Sequence, residues 1–140
     1  MRTLFFFFGL AFTLQVAAQN HPVDKQKHKI VFQLTSSDSL VHKATLRQIG
    51  HILEAAPSSK IEVVCHSNGL PFLVAAQSTQ VAKIKELEAK GVDFMACENT
   101  MRDRKVNAAD LISGCQTVPS GVLEVIRKQE KHWAYIKAGF

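Results

Sequence analysis

Short apolar runs rich in β-branched and aromatic residues recur along this chain, too far apart for hairpins to join them. Lys-Ile-Val-Phe-Gln-Leu-Thr over 29–35, Ile-Glu-Val-Val-Cys-His over 61–66 and Val-Asp-Phe-Met-Ala-Cys over 92–97 are the clearest. Near-continuous hydrophobicity over so short a span suits a strand covered on both faces, as in a parallel sheet. Cys115–Val118 reads as a shorter fourth strand and Trp133–Lys137 as a fifth. The segments between them change period. From Ser36, Ser37, Asp38 and Ser39, all helix-capping residue types, to Ala56, an apolar stripe (Ala44, Ile49, Ile52, Leu53, Ala56) opposes Lys43, Arg47, His51 and Glu54. Pro57-Ser58-Ser59 ends that helix. Thr79–Lys90 repeats the pattern with Val81, Ile84 and Leu87 inward and Gly91 at the C-cap position. The stretch 71–76 follows neither period. Residues 98–110 are polar, with room for one or two short helical turns and Asn107 as a cap. Pro119 and Ser120 open a last helix, in which Val122, Val125, Ile126 and Gln129 are expected to face the core and the Glu124–Lys128 pair to face solvent. Strands alternating with helices at this spacing specify an α/β domain with a parallel sheet and helices on both faces.

The N-terminus is of another kind. Met1 and Arg2 precede an apolar run from Leu4 to Leu14, which ends in Val16-Ala17-Ala18. A positive start, a short apolar stretch and small residues at the end form a secretory signal, so residues 1–18 are expected to be removed on export to the periplasm. The run is too short for a stable membrane span, which needs roughly 20 apolar residues. Residues 19–28 are polar and read as a flexible tether, leaving 29–140 as one domain. The net charge of +5 is scattered in small groups, which favours a solvated surface over a nucleic-acid patch.

In an open α/β sheet the ligand crevice lies beyond the carboxyl ends of the strands. Those ends gather Ser36, His66, Ser67 and Cys97 on one edge. The chain has three cysteines, Cys65, Cys97 and Cys115, an odd number that leaves at least one unpaired. None shows C-x-x-C spacing, and there is no Gly-rich phosphate loop, no G-x-S-x-G and no His-rich tract, so neither a metal nor a cofactor is expected. Cys97 stands out because it closes a strand and opens Glu98-Asn-Thr-Met-Arg102. There it can meet the amides of a helical turn, which favour thiolate. Arg102 can add positive charge, and Asn99 and Thr100 can hydrogen-bond a bound group. Glu98 opposes them, so the expected acidity is moderate. His66 is a candidate to orient the thiol. Cys65 lies inside a strand and reads as packing, as does His42.

Three segments resemble a known family: Gly91-Val-Asp-Phe-Met-Ala-Cys-Glu-Asn-Thr-Met-Arg102, Val118-Pro-Ser-Gly-Val122 and Glu124-Val-Ile-Arg-Lys-Gln129. Together they are similar to the DsrE/DsrF-like sulfur-relay family, over about Lys29 to Lys137. The resemblance implies a three-layer α/β/α domain with a five-stranded, mainly parallel sheet, and assembly into a homotrimer or homohexamer. The aromatic C-terminus at Trp133, Tyr135 and Phe140 offers contact area for such assembly. In relay members of the family, the cysteine matching Cys97 takes a persulfide sulfur and passes it to a partner. His66 also fits the family pattern. The best-understood members are cytoplasmic, whereas this chain carries an export signal, and its sulfur donor and acceptor are not named by the sequence.

Three functions compete on these grounds. The first is a sulfur carrier on Cys97, closer to a sulfurtransferase-like carrier than to a multiple-turnover enzyme. The second is an oligomeric binding module in which Ser36, His66, Ser67 and Asn99 hold a small ligand or partner segment and Cys97 is only a wall. The third is a redox role through a Cys97–Cys115 disulfide.

Overall fold

The computed structural model describes residues 22–139; the segment read as a signal and Phe140 lie outside them. Five strands, β1 (Lys29–Leu34), β2 (Lys60–Cys65), β3 (Asp93–Cys97), β4 (Gln116–Val118) and β5 (Ala134–Ala138), form one sheet in the order β4-β3-β2-β1-β5. Every neighbouring pair is parallel. The helices are α1 (Ser39–Ala55), α2 (Val81–Ala89), α3 (Glu98–Arg104) and α4 (Gly121–Glu130). The first half of the stretch 71–76, which followed neither period, belongs to a 3-10 segment, Ser67–Leu73, and the rest is a bridge residue and a turn. Among the described residues, no helix is long and apolar enough to cross a membrane. Residues 22–28 hold no regular element, but the Asp24 amide donates to the Ala55 carbonyl at 2.8 Å.

The caps explain where the helices begin. Asp38 Oδ1 accepts from the Leu40 amide at 2.8 Å at the start of α1, and Ser120 Oγ accepts from the Leu123 amide at 3.4 Å at the start of α4. His42 is buried in α1, where Nε2 bonds the Ser36 carbonyl at 2.8 Å and the ring lies 4.8 Å from that of Phe72. The histidine is thus a satisfied packing residue.

The two faces of the sheet are unequally covered. Ile30, Phe32, Leu34, Ile61, Val63, Phe94 and Ala96 meet α1, α2 and the 3-10 segment in the main core. Val31 and Val64 point the other way and pack with Val125 of α4, with Met95 and Trp133 at the margin. Connections from adjacent strand ends therefore diverge. β3 runs into α3, whose Met101 joins the main core, while its neighbour β4 runs into α4 on the opposite face. In open α/β sheets, ligands bind where connections from neighbouring strands part in this way.

The inward face of α4 differs from the sequence expectation. Val122 and Ile126, expected to face the core, are 51% and 44% exposed, and Gln129 is also exposed. The inward residues are Gly121 and Val125, flanked by half-buried Glu124 and Lys128. The reason lies on β2. Glu62 is 1% exposed beneath α4, and Lys128 turns inward to pair with its carboxylate. A buried carboxylate left without a cation is more costly than an exposed valine or isoleucine.

Gly50 lies inside α1, where a Cβ would meet nothing within 4 Å. Glycine in a helix interior costs roughly 0.5–1 kcal/mol relative to alanine. Gly50→Ala should therefore stabilise the fold by about that amount, read as a higher midpoint in urea at unchanged slope.

Candidate functional site

Cys97 is the last residue of β3 and the N-cap residue of α3. The register pairs it with Val118, immediately before the Pro119–Ser120 turn into α4. This brings the first amide of α4 back over the end of β3, and Gly121 N–H donates to Cys97 Sγ at 3.2 Å. A Cβ on Gly121 would lie 3.1 Å from His66 Cβ and 3.2 Å from Cys97 Cβ. Glycine is therefore what lets the helix backbone reach the sulfur. From the α3 side, the amides of Thr100 and Asn99 and the Thr100 hydroxyl add to the stabilisation of a thiolate at this position.

These groups act against one another in a definite order. Burial is the largest single influence and pushes the thiol up, since the side chain is only 4% exposed. The Thr100 amide, the Gly121 amide, the Thr100 hydroxyl and the Asn99 amide pull it down and together prevail, so the thiol lies below its ordinary value of 9.0. The other two cysteines move the opposite way. Burial in the main core pushes Cys65 well up. Burial, then the charge and hydrogen bond of Glu88, raises Cys115 to about 12, with its Sγ 3.6 Å from Glu88 Oε1. Cys115 packs against the main core and Cys97 against α4, so the sheet lies between them, and all three cysteines are free.

His66, which follows β2, is buried beside Gly121. Its two ring nitrogens are engaged away from the sulfur. Gln33 Nε2 donates to Nε2 at 2.8 Å, which leaves the proton on Nδ1 to donate to Ser67 Oγ at 3.0 Å. Burial lowers the pKa of His66 from its ordinary 6.5, so the ring is neutral at pH 7. Ser67 takes a left-handed backbone, φ 53°, a cost on the order of 1 kcal/mol. It is held there by donation from its amide to Thr100 Oγ1 at 3.0 Å. Thr100 thus accepts from Ser67 and keeps its own hydroxyl proton for the sulfur.

Of the residues expected at the site, Cys97, His66, Ser67, Asn99 and Thr100 converge on the ends of β2 and β3. Arg102 is exposed, and its guanidinium donates to Asn99 Oδ1, so its link to the thiol runs through Asn99. Glu98 accepts from Thr117 Oγ1 at 2.8 Å and does not act on the sulfur. Ser36 belongs to the β1–α1 turn, where its Oγ accepts from the Asp38 amide at 3.1 Å. Gly121, Gln33 and Tyr135 were not foreseen; the Tyr135 hydroxyl donates to Gln33 Oε1 and fixes the amide that orients His66. Only Gly121 left a signal, as a glycine placed directly after Pro119-Ser120 at a helix start. Among the described residues, no three His, Cys, Asp or Glu side chains come together as a metal ion requires.

The fold is a fully parallel α/β sheet with helices on both faces, and Cys97 lies where two of its connections diverge, with the Gly121 amide on its sulfur. The model of the DsrE/DsrF-like family matches residues 16–138, and the chain belongs to that family. Among solved structures it is similar to a protein of unknown function, MTH1491, from Methanobacterium thermoautotrophicum, at 32% identity and a TM-score of 0.76, over 79% of this chain and 99% of that one. The YchN protein of E. coli shares the fold at 16% identity and a TM-score of 0.65, over 80% of this chain and 98% of that one. No curated protein matches the chain.

Proposed function

We propose that the protein carries sulfane sulfur as a persulfide on Cys97. The observation that supports this most is the Gly121 amide on Sγ, backed by Thr100 and Asn99. A thiolate is the nucleophile, and these donors favour it. The step balances without an oxidant. Cys97 thiolate attacks the terminal sulfur of a donor persulfide, R–S–SH; the new bond is Sγ–S, the bond that breaks is the donor's S–S, and R–S⁻ leaves. Transfer onward repeats the exchange with an acceptor thiolate. The family supports the reading, since relay members use the cysteine matching Cys97 in this way. Exposure of the native protein to a polysulfide, followed by intact mass measurement, tests it: sulfur should add in steps of one atom, and an unchanged mass refutes the proposal.

A homotrimer or homohexamer belongs to the same reading. The outward side of α4 presents Val122, Leu123 and Ile126, each between 42% and 51% exposed, next to the thiol. Light scattering at micromolar concentration should give a mass well above the 15.5 kDa of one chain. Ile126→Glu should shift it toward one chain. A wild-type monomer across dilution removes assembly from the proposal.

A further inference from the structure

Among the described residues α4 is the only helix on its face of the sheet, and its sole deeply buried side chain is that of Val125. One apolar anchor is little for a helix whose first amide must stay on a sulfur. The second anchor is polar and lies less than one turn after Val125, about two turns from Gly121. Lys128 Nζ bonds Glu62 Oε2 in the middle of β2, lies 3.5 Å from Glu124 Oε1 and sits 4.4 Å from the centre of the Trp133 ring. Glu62 is 1% exposed, and its second oxygen, Oε1, is buried without a partner. Lys128 is therefore the one cation that the buried carboxylate has among the described residues, with Glu124 of α4 and Asp93 of β3 as its acidic neighbours.

We propose that the Glu62–Lys128 pair is a positioning device for the thiol: it fixes α4 along its axis and so holds the Gly121 amide on Cys97 Sγ. The helix transmits the constraint because its backbone is continuously hydrogen-bonded from Gly121 to Glu130. Contact of Gly121 with both His66 and Cys97 leaves no slack at the other end, where a Cβ would already be within 3.2 Å of each. Lys128 and Glu62 are positioning residues; neither touches the sulfur.

The inference rests on Cys97 being the reactive group but not on its carrying sulfur, and its test needs no sulfur donor. The rate of Cys97 alkylation by iodoacetamide is followed against pH by peptide mass. Lys128→Met keeps the stem over Trp133 and removes the charge. It should move the alkylation midpoint to higher pH and slow the reaction at pH 7 by about tenfold, since one pKa step is a factor of ten in thiolate. Lys128→Arg, which restores a cation, should return the wild-type profile. Should Lys128→Met not fold, Glu62→Gln carries the test, because a neutral amide there needs no counter-charge, and the same upward shift is expected. A folded variant that lost stability but kept the wild-type midpoint would show the pair to be structural only and overturn the proposal. Failure of sulfur loading with the shift intact would overturn the carrier function and leave this inference standing.

Discussion

A Cys97→Ser chain should take up no sulfur from a polysulfide, while Cys65→Ser and Cys115→Ser should load as the native protein does. The expected difference is complete loss against no change, because a serine hydroxyl cannot form the Sγ–S bond. The contrast among the three cysteines follows from their surroundings. Cys65 lies in the main core with no donor to stabilise an anion, and burial raises its pKa well above 9.0. Cys115 faces Glu88, and at about 12 it stays protonated through neutral pH. Cys97 alone is lowered, by amides and a hydroxyl that outweigh its burial. The pH dependence has a definite sign. Thiolate grows as pH rises through the lowered value, so loading should level off at a lower pH than for a free cysteine. Loading that levels off at the ordinary thiol pH would show that the amides do not act as described, and loading on Cys115 alone would move the site to another face of the sheet.

Much of this was legible in the residues. Hydrophobic runs of strand length, separated by helix-period segments, specify a parallel sheet because only a covered strand tolerates such continuous apolarity. The strand-end position of Cys97 then follows from where its run stops. Two things were hidden. The inward face of α4 depends on Glu62, a charge placed in an otherwise apolar strand, and nothing local to α4 reveals which residue must answer it. Periodicity within 121–130 allowed the apolar stripe to face inward; the buried carboxylate 66 residues earlier reversed that choice. The partners of His66 were hidden for a similar reason. Gln33 and Tyr135 are brought together by pairing of β1 with β5, a register fixed between segments far apart in sequence. Arg102 shows the converse: nearness in sequence suggested a direct charge on the thiol, whereas the side chain bonds Asn99 instead.

This end of the sheet also depends on a close backbone approach, which makes Gly69→Ala the substitution expected to harm the fold most. Gly69 sits in the 3-10 segment that follows His66, packed against the end of β1. A Cβ there would lie 2.1 Å from the Leu34 carbonyl oxygen, 2.7 Å from its carbon and 3.1 Å from Thr35 Cα. All three are backbone atoms, so no side chain can rotate away; the strand end or the segment must move. The segment has little freedom, since it carries Leu70, Phe72 and Leu73, each fully buried in the main core. Overpacking of this kind costs typically 1–3 kcal/mol, and the backbone contacts place Gly69→Ala at about 3 kcal/mol or above. Thermal unfolding should show a Tm lower by on the order of 10 °C. The site should suffer as well, because displacement of the segment pulls Ser67 from Thr100 and releases the hydroxyl that faces the sulfur. Gly50→Ala makes the matched comparison: the same added methyl, in open space within a helix, should raise stability. If the two substitutions shift Tm alike, the backbone approach at Gly69 is not what closes the end of the sheet over the thiol.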